Sequence, residues 1–187
     1  MGNRRIGRKR LYGVEKQGQK IDLEAGPGIS GAIARATQHR QGQEIITEIL
    51  IDLGTSTADI EAPGTDRFAI GVDSKKAHIT QLTVAKFGVI TEVRAVLLEA
   101  PLGGATDIAL EHAASTVDGG TDPSGTVLTN IGALTTVGQD ASAPYDNTAT
   151  LANKYLFVCA GHNGTNDDMT AGKIAIYIHG FAVPADV

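Results

Sequence analysis

Tryptophan is absent from this sequence, and its four Phe and four Tyr make up only 4% of the residues. A core without large aromatics must be filled by Ile, Leu, Val and Ala, which suits a thin β-sandwich. The same scarcity leaves few stacking platforms for sugars. Cysteine is reduced to Cys159. One thiol makes neither an internal disulfide nor a thiolate zinc site, so Cys159 reads as a small buried hydrophobe. No apolar run reaches the 18 residues of a membrane-spanning helix, so no membrane partner is expected. The N-terminus is basic but lacks the apolar stretch of a secretory signal. Synthesis and assembly in a reducing cytoplasm are therefore expected.

Recognisable catalytic patterns are missing as well. Of His39, His78, His112, His162 and His179, no two stand at i, i+2 or i, i+4, the spacings that place metal ligands on one face. The stretch Gly161-His-Asn-Gly-Thr-Asn-Asp-Asp168 offers oxygen ligands of the kind calcium prefers, but not at EF-hand spacing. Asn, Gly and Asp also serve turn geometry, and an ordinary turn is the reading adopted. Gly26-Pro-Gly-Ile-Ser-Gly31 lacks the Lys-Ser/Thr ending of a phosphate-binding loop, and no Gly-x-Ser-x-Gly occurs. No catalytic residue, cofactor or metal ligand is nominated, and the chain is not read as an enzyme.

Strand patterns are what the chain does contain. In Lys173-Ile-Ala-Ile-Tyr-Ile-His-Gly-Phe181, Ile174, Ile176 and Ile178 fall on one side and Ala175, Tyr177 and His179 on the other. Residues 155–160 (Tyr-Leu-Phe-Val-Cys-Ala) form a second apolar run, and the polar loop between the two predicts a hairpin. In 44–53, Ile45, Thr47, Ile49, Ile51 and Leu53 alternate with Ile46, Glu48, Leu50 and Asp52. Residues 89–99 alternate in the same way. Shorter strands are predicted at 32–37, 68–72, 77–85 and 127–137. Residues 106–114 suit a helix or a strand, and strand is preferred among strand neighbours. Turns or loops are predicted at 62–66, 87–88, 117–125 and 138–148. With 23 glycines punctuating the chain, the expectation is all-β: an antiparallel β-sandwich or jelly roll of about eight strands.

Charge divides the chain in two. Residues 1–20 hold seven basic side chains against Glu15 alone, a net of +6, and the other 167 residues hold nine basic and twenty acidic groups, a net of −11. A basic arm on an acidic body is an arrangement for interaction. Residues 1–30 are read as an extended arm and flexible linker, and 31–187 as the body. Arg4, Arg5, Arg8, Lys9 and Arg10 are nominated to pair with an acidic partner surface, with Leu11 and Tyr12 as apolar anchors. Those two anchors favour a protein surface over nucleic acid.

Three stretches carry a resemblance. They are Arg5-Ile-Gly-Arg-Lys-Arg-Leu-Tyr-Gly-Val-Glu-Lys-Gln-Gly-Gln19; Ala77-His-Ile-Thr-Gln-Leu-Thr-Val-Ala-Lys-Phe-Gly-Val-Ile90 with Glu99-Ala-Pro-Leu-Gly-Gly104; and Tyr155-Leu-Phe-Val158 with Thr170-Ala-Gly-Lys-Ile-Ala-Ile-Tyr-Ile-His-Gly-Phe181. Together they resemble virion structural proteins of tailed bacteriophages, marine and cyanophage-like, of the capsid decoration or cement type. The resemblance implies a location in the virion, binding to the major capsid protein, and homo-oligomers, of which a trimer is the expected one. Two other roles stay open at this point. One is a jelly-roll coat protein whose inward arm binds nucleic acid, and the other is a tail or head–tail joining protein.

Overall fold

The computed structural model describes residues 18–29, 31, 33–54, 60–62, 67–105, 107–124, 126–127, 137, 140–144, 151–161 and 167–183. Within them the chain is an antiparallel β-sandwich. In chain order the strands are β1 (Gln19–Ile21), β2 (Ala34–Gln41), β3 (Glu44–Asp52), β4 (Ile60–Ala62), β5 (Gly71–Val72), β6 (Thr80–Leu82), β7 (Val89–Leu102), β8 (Ile108–Ala113), β9 (Thr126–Val127), β10 (Asp140–Pro144), β11 (Lys154–Ala160), β12 (Asp167–Asp168) and β13 (Ala171–Phe181). One short helix, α1 (Val84–Phe87), precedes β7.

Six strands form one sheet in the order β1-β2-β3-β13-β7-β10, and four form the other in the order β6-β11-β8-β9. A small sheet, β12-β4-β5, contributes Ile60 to the core. The two main sheets share one apolar core. Ile49, Ile51, Val93, Leu97, Ile174, Ile176 and Ile178 come from the six-stranded sheet, and Leu82, Ile108, Leu110, Leu156 and Val158 from the four-stranded one. Alternation in β3 and β13 places these residues inward, as the sequence pattern requires. A second, smaller cluster lies behind the four-stranded sheet, where Ala69, Ala77, Ala113, Phe157 and Cys159 pack together. β11 is therefore apolar on both faces.

Several expectations are corrected. The runs 155–160 and 173–181 do not form a hairpin. β11 pairs with β6 and β8, while β13 pairs with β3 and β7 in the opposite sheet. β11 and β13 thus belong to different sheets. The tight hairpin lies elsewhere, between β2 and β3, where Gln41 pairs with Glu44 across the two-residue turn Gly42–Gln43. Gly42 has φ +64°, the left-handed value that a twisted hairpin turn demands and that glycine supplies without strain.

Residues 84–87 are helical, although 77–85 is predicted as strand. Residues 140–144 form the edge strand β10, although 138–148 is predicted as loop, and Pro144 is tolerated there because an edge needs no second donor. The predicted strand 127–137 contributes only its start to β9; most of the rest lies outside the described residues. Within 106–114, Ile108–Ala113 form strand β8, as preferred. Ten strands make the two main sheets and three short ones the third, more than the eight expected. Very short strands have too few residues to show a period.

Candidate functional site

The nominated residues Arg4, Arg5, Arg8, Lys9, Arg10, Leu11 and Tyr12 all lie outside the described residues. What is described is the root from which they extend. Gln19–Ile21 form edge strand β1, with Gln19 opposite Gln38, Lys20 opposite Thr37 and Ile21 opposite Ala36. Residues 22–29 then leave β2 and cross toward the 72–78 segment. Leu23 and Ile29 are buried in the main core. The reading of 21–30 as a flexible link is therefore corrected. Its Gly-Pro-Gly composition suggests flexibility, but Ile21, Leu23 and Ile29 bury enough apolar surface to fix it. Those three residues were the signal available in the sequence.

Because 22–25 diverges from β2, a fork opens between them. It is an open groove of about 640 Å³, with Lys20 and Arg35 among the residues lining it. An adjoining hollow of about 420 Å³ runs onto the outer face of the six-stranded sheet, past Thr37, Glu48 and Leu50. That face is crossed by a continuous row, since Lys20, Thr37, Glu48, Tyr177 and Arg94 are successive partners across five strands. The Tyr177 hydroxyl donates to Glu48 Oε1 at 3.2 Å. Burial and the Glu48 carboxylate both raise the Tyr177 pKa.

The next row is His39, Ile46, His179 and Glu92, with His179 Nδ1 3.8 Å from Glu44 Oε1. Lys173 is bound by Glu99 and lies 3.8 Å from Asp52, and this contact with Glu99 raises its pKa. Apolar residues are interleaved, namely Ile46, Leu50 and Val96, all half-buried, and the exposed Leu98. A mixed apolar and charged sheet face of this kind can take part in protein contacts.

Other chemistry-bearing groups are dispersed. Cys159 is fully buried, and burial pushes its thiol well above the ordinary range, so it is no nucleophile. Arg67 reaches Glu111 on β8 with Nε 2.7 Å from Oε1 and Nη2 3.3 Å from Oε2. His112, also on β8, is buried, and burial with the nearby Lys154 lowers its pKa. Among the described residues no three His, Cys, Asp or Glu side chains converge to hold a metal ion. Most of the candidate calcium loop, 162–166, lies outside them, and its end, Asp167–Asp168, forms β12. No helix of the described residues is long and apolar enough to cross a membrane. No protein-family model, curated protein or solved structure matches the chain.

Proposed function

We propose that this protein decorates and stabilises a bacteriophage capsid, gripping the major capsid protein through its basic N-terminal arm. The observation that carries the reading is the charge division, +6 in residues 1–20 and −11 in the rest. The anchored root adds support. β1 is hydrogen-bonded into the six-stranded sheet, and Leu23 and Ile29 are buried behind it, so tension on the arm is passed to the whole body. The mixed outer face of that sheet begins at the same edge and suits contacts with neighbouring subunits. Repeated on a symmetric lattice, weak contacts of this kind add up through effective concentration.

The test mixes purified protein with expanded, undecorated phage heads and images them by cryo-electron microscopy. Density at lattice symmetry axes is expected for the full chain, and its loss on deleting residues 2–12. Undiminished decoration by the truncated protein would overturn the role given to the arm, and bare heads with the full chain would overturn decoration itself. Binding to nucleic acid with a steep salt dependence would favour the inward-arm coat protein instead. Rings at a portal vertex would favour a head–tail joining role.

A further inference from the structure

The root of the arm also covers a histidine. Residues 22–29 are tied to the 72–78 segment by three main-chain hydrogen bonds. Gly26 N–H donates to the His78 carbonyl at 2.8 Å, Gly28 N–H to the Lys76 carbonyl at 2.8 Å, and Val72 N–H to the Gly28 carbonyl at 3.0 Å. The backbones approach so closely that a Cβ on Gly26 would come within 2.1 Å of the Lys76 carbonyl oxygen. Glu24 holds the turn at φ +54°, its N–H donating to the Asp22 carboxylate at 2.9 Å and its carboxylate meeting Lys86 Nζ at 3.0 Å.

The His78 ring lies under this segment. Its Nδ1 is sealed from solvent and has no hydrogen-bond partner, and the Gly26 Cβ position is only 2.8 Å away. Tyr155 of β11 meets the ring edge-on, with centroids 5.2 Å apart. A neutral imidazole can leave Nδ1 as a bare acceptor at modest cost. An imidazolium must put an N–H and a charge there, and the nearby main chain of Glu24 offsets only part of that burial cost. The surrounding charges do not compensate. Lys76 is a cation engaged by Asp118 at 3.0 Å, and the Glu24 carboxylate is engaged by Lys86.

We propose that residues 24–28 form an acid-released strap, in which charging His78 loosens their main-chain bonds to the 72–78 segment while β1, Leu23 and Ile29 stay in place. Burial, reinforced by Lys76, lowers the His78 pKa from its ordinary 6.5, against a smaller opposing effect of the Glu24 main chain. A lowered value means that the closed strap is fully favoured above the ordinary histidine pKa and loses stability as pH falls below it. The inference is independent of the capsid reading, since it concerns only how the arm is rooted.

The test is amide hydrogen exchange on the full chain, followed by NMR at pH 8 and pH 5 and corrected for intrinsic rates. Protection at Gly26, Gly28 and Val72 should fall severalfold in acid, while Ile49 and Ile176 in the core stay protected. In His78→Phe, which keeps a ring but cannot charge, the strap amides should show no such change. Should that variant fail to fold, the His78 ring is titrated in the unaltered protein, and its midpoint should coincide with that of Gly26 exchange. Flat exchange at Gly26, or midpoints that differ, would overturn the proposal. So would an equal acid response in His78→Phe, which would point to His112, or a simultaneous loss at Ile176, which would mean global unfolding.

Discussion

The guanidinium of Arg67 meets the carboxylate of Glu111 through two hydrogen bonds, and while the arginine side chain is 39% exposed the glutamate is 0% exposed. The pair therefore bridges solvent and the inside of the small cluster behind the four-stranded sheet. Burial raises the Glu111 pKa and outweighs the opposing hydrogen bond from Arg67. Arg67→Ala would leave the carboxylate buried and unpaired, at a cost of roughly 3 kcal/mol near neutral pH. A folded-state pKa above the unfolded value favours folding in acid, and this contribution is lost as pH rises from 4.5 through the raised value. The defect of Arg67→Ala should accordingly be larger at pH 8 than at pH 4.5 in urea unfolding. Arg67→Met with Glu111→Leu should recover most of the loss.

Leu97 and Leu98 are neighbours on β7 with opposite fates, 0% and 48% exposed. Leu97→Ala should cost about 3 kcal/mol, because it opens a cavity between the two sheets. Leu98→Ala in the isolated protein should change stability by less than ~0.5 kcal/mol. Denaturant midpoints of the two variants check both values. Equal effects would contradict the assignment of faces in β7.

Deleting residues 2–12 should leave the unfolding midpoint where it is. Extending the deletion through residue 29 removes β1, Leu23 and Ile29 together, and the loss of those two buried side chains alone amounts to roughly 3–6 kcal/mol. Calorimetry on the two truncated proteins separates the arm from its root.

Cys159 should be inert toward thiol reagents in the native state at neutral pH, because it is fully buried and its thiolate is disfavoured. Labelling by a chromogenic disulfide should proceed only as fast as the protein opens, and should become immediate in denaturant. Fast labelling without denaturant would show that the small cluster around Phe157 is loosely held.

β3 and β13 were legible from the sequence because each has one wet and one dry face, and their period of two survives intact. The pairing of the last two long strands was not. Residues 154–160 and 171–181 are both apolar, and the polar loop between them has the composition of a hairpin turn. Nothing local records that β11 faces β13 across the core instead of lying beside it. β1 was invisible for another reason. Gln19, Lys20 and Ile21 carry no strand signature of their own and are extended because β2 offers them an edge. Of the candidate site, the charge division was plain in the sequence. The rooting of the arm was only implicit in three apolar residues dispersed among glycines and charges. The ring packed under the strap had no sequence signal, because the approach of Gly26 to His78 joins segments some fifty positions apart.

β13, the last strand of the described residues, lies between β3 and β7 inside the six-stranded sheet. Until it is made, a nascent chain emerging from the ribosome presents two unsatisfied inner edges, those of β3 and β7, each lined with Ile, Val and Leu. The growing polypeptide therefore cannot complete its main sheet domain-fashion as it is synthesised. It must wait for the keystone strand, and during that interval the open edges invite pairing with other nascent copies. Rapid, crowded production would make that waiting time the vulnerable stage of the protein's life, and chaperone capture of the unfinished sheet the natural protection.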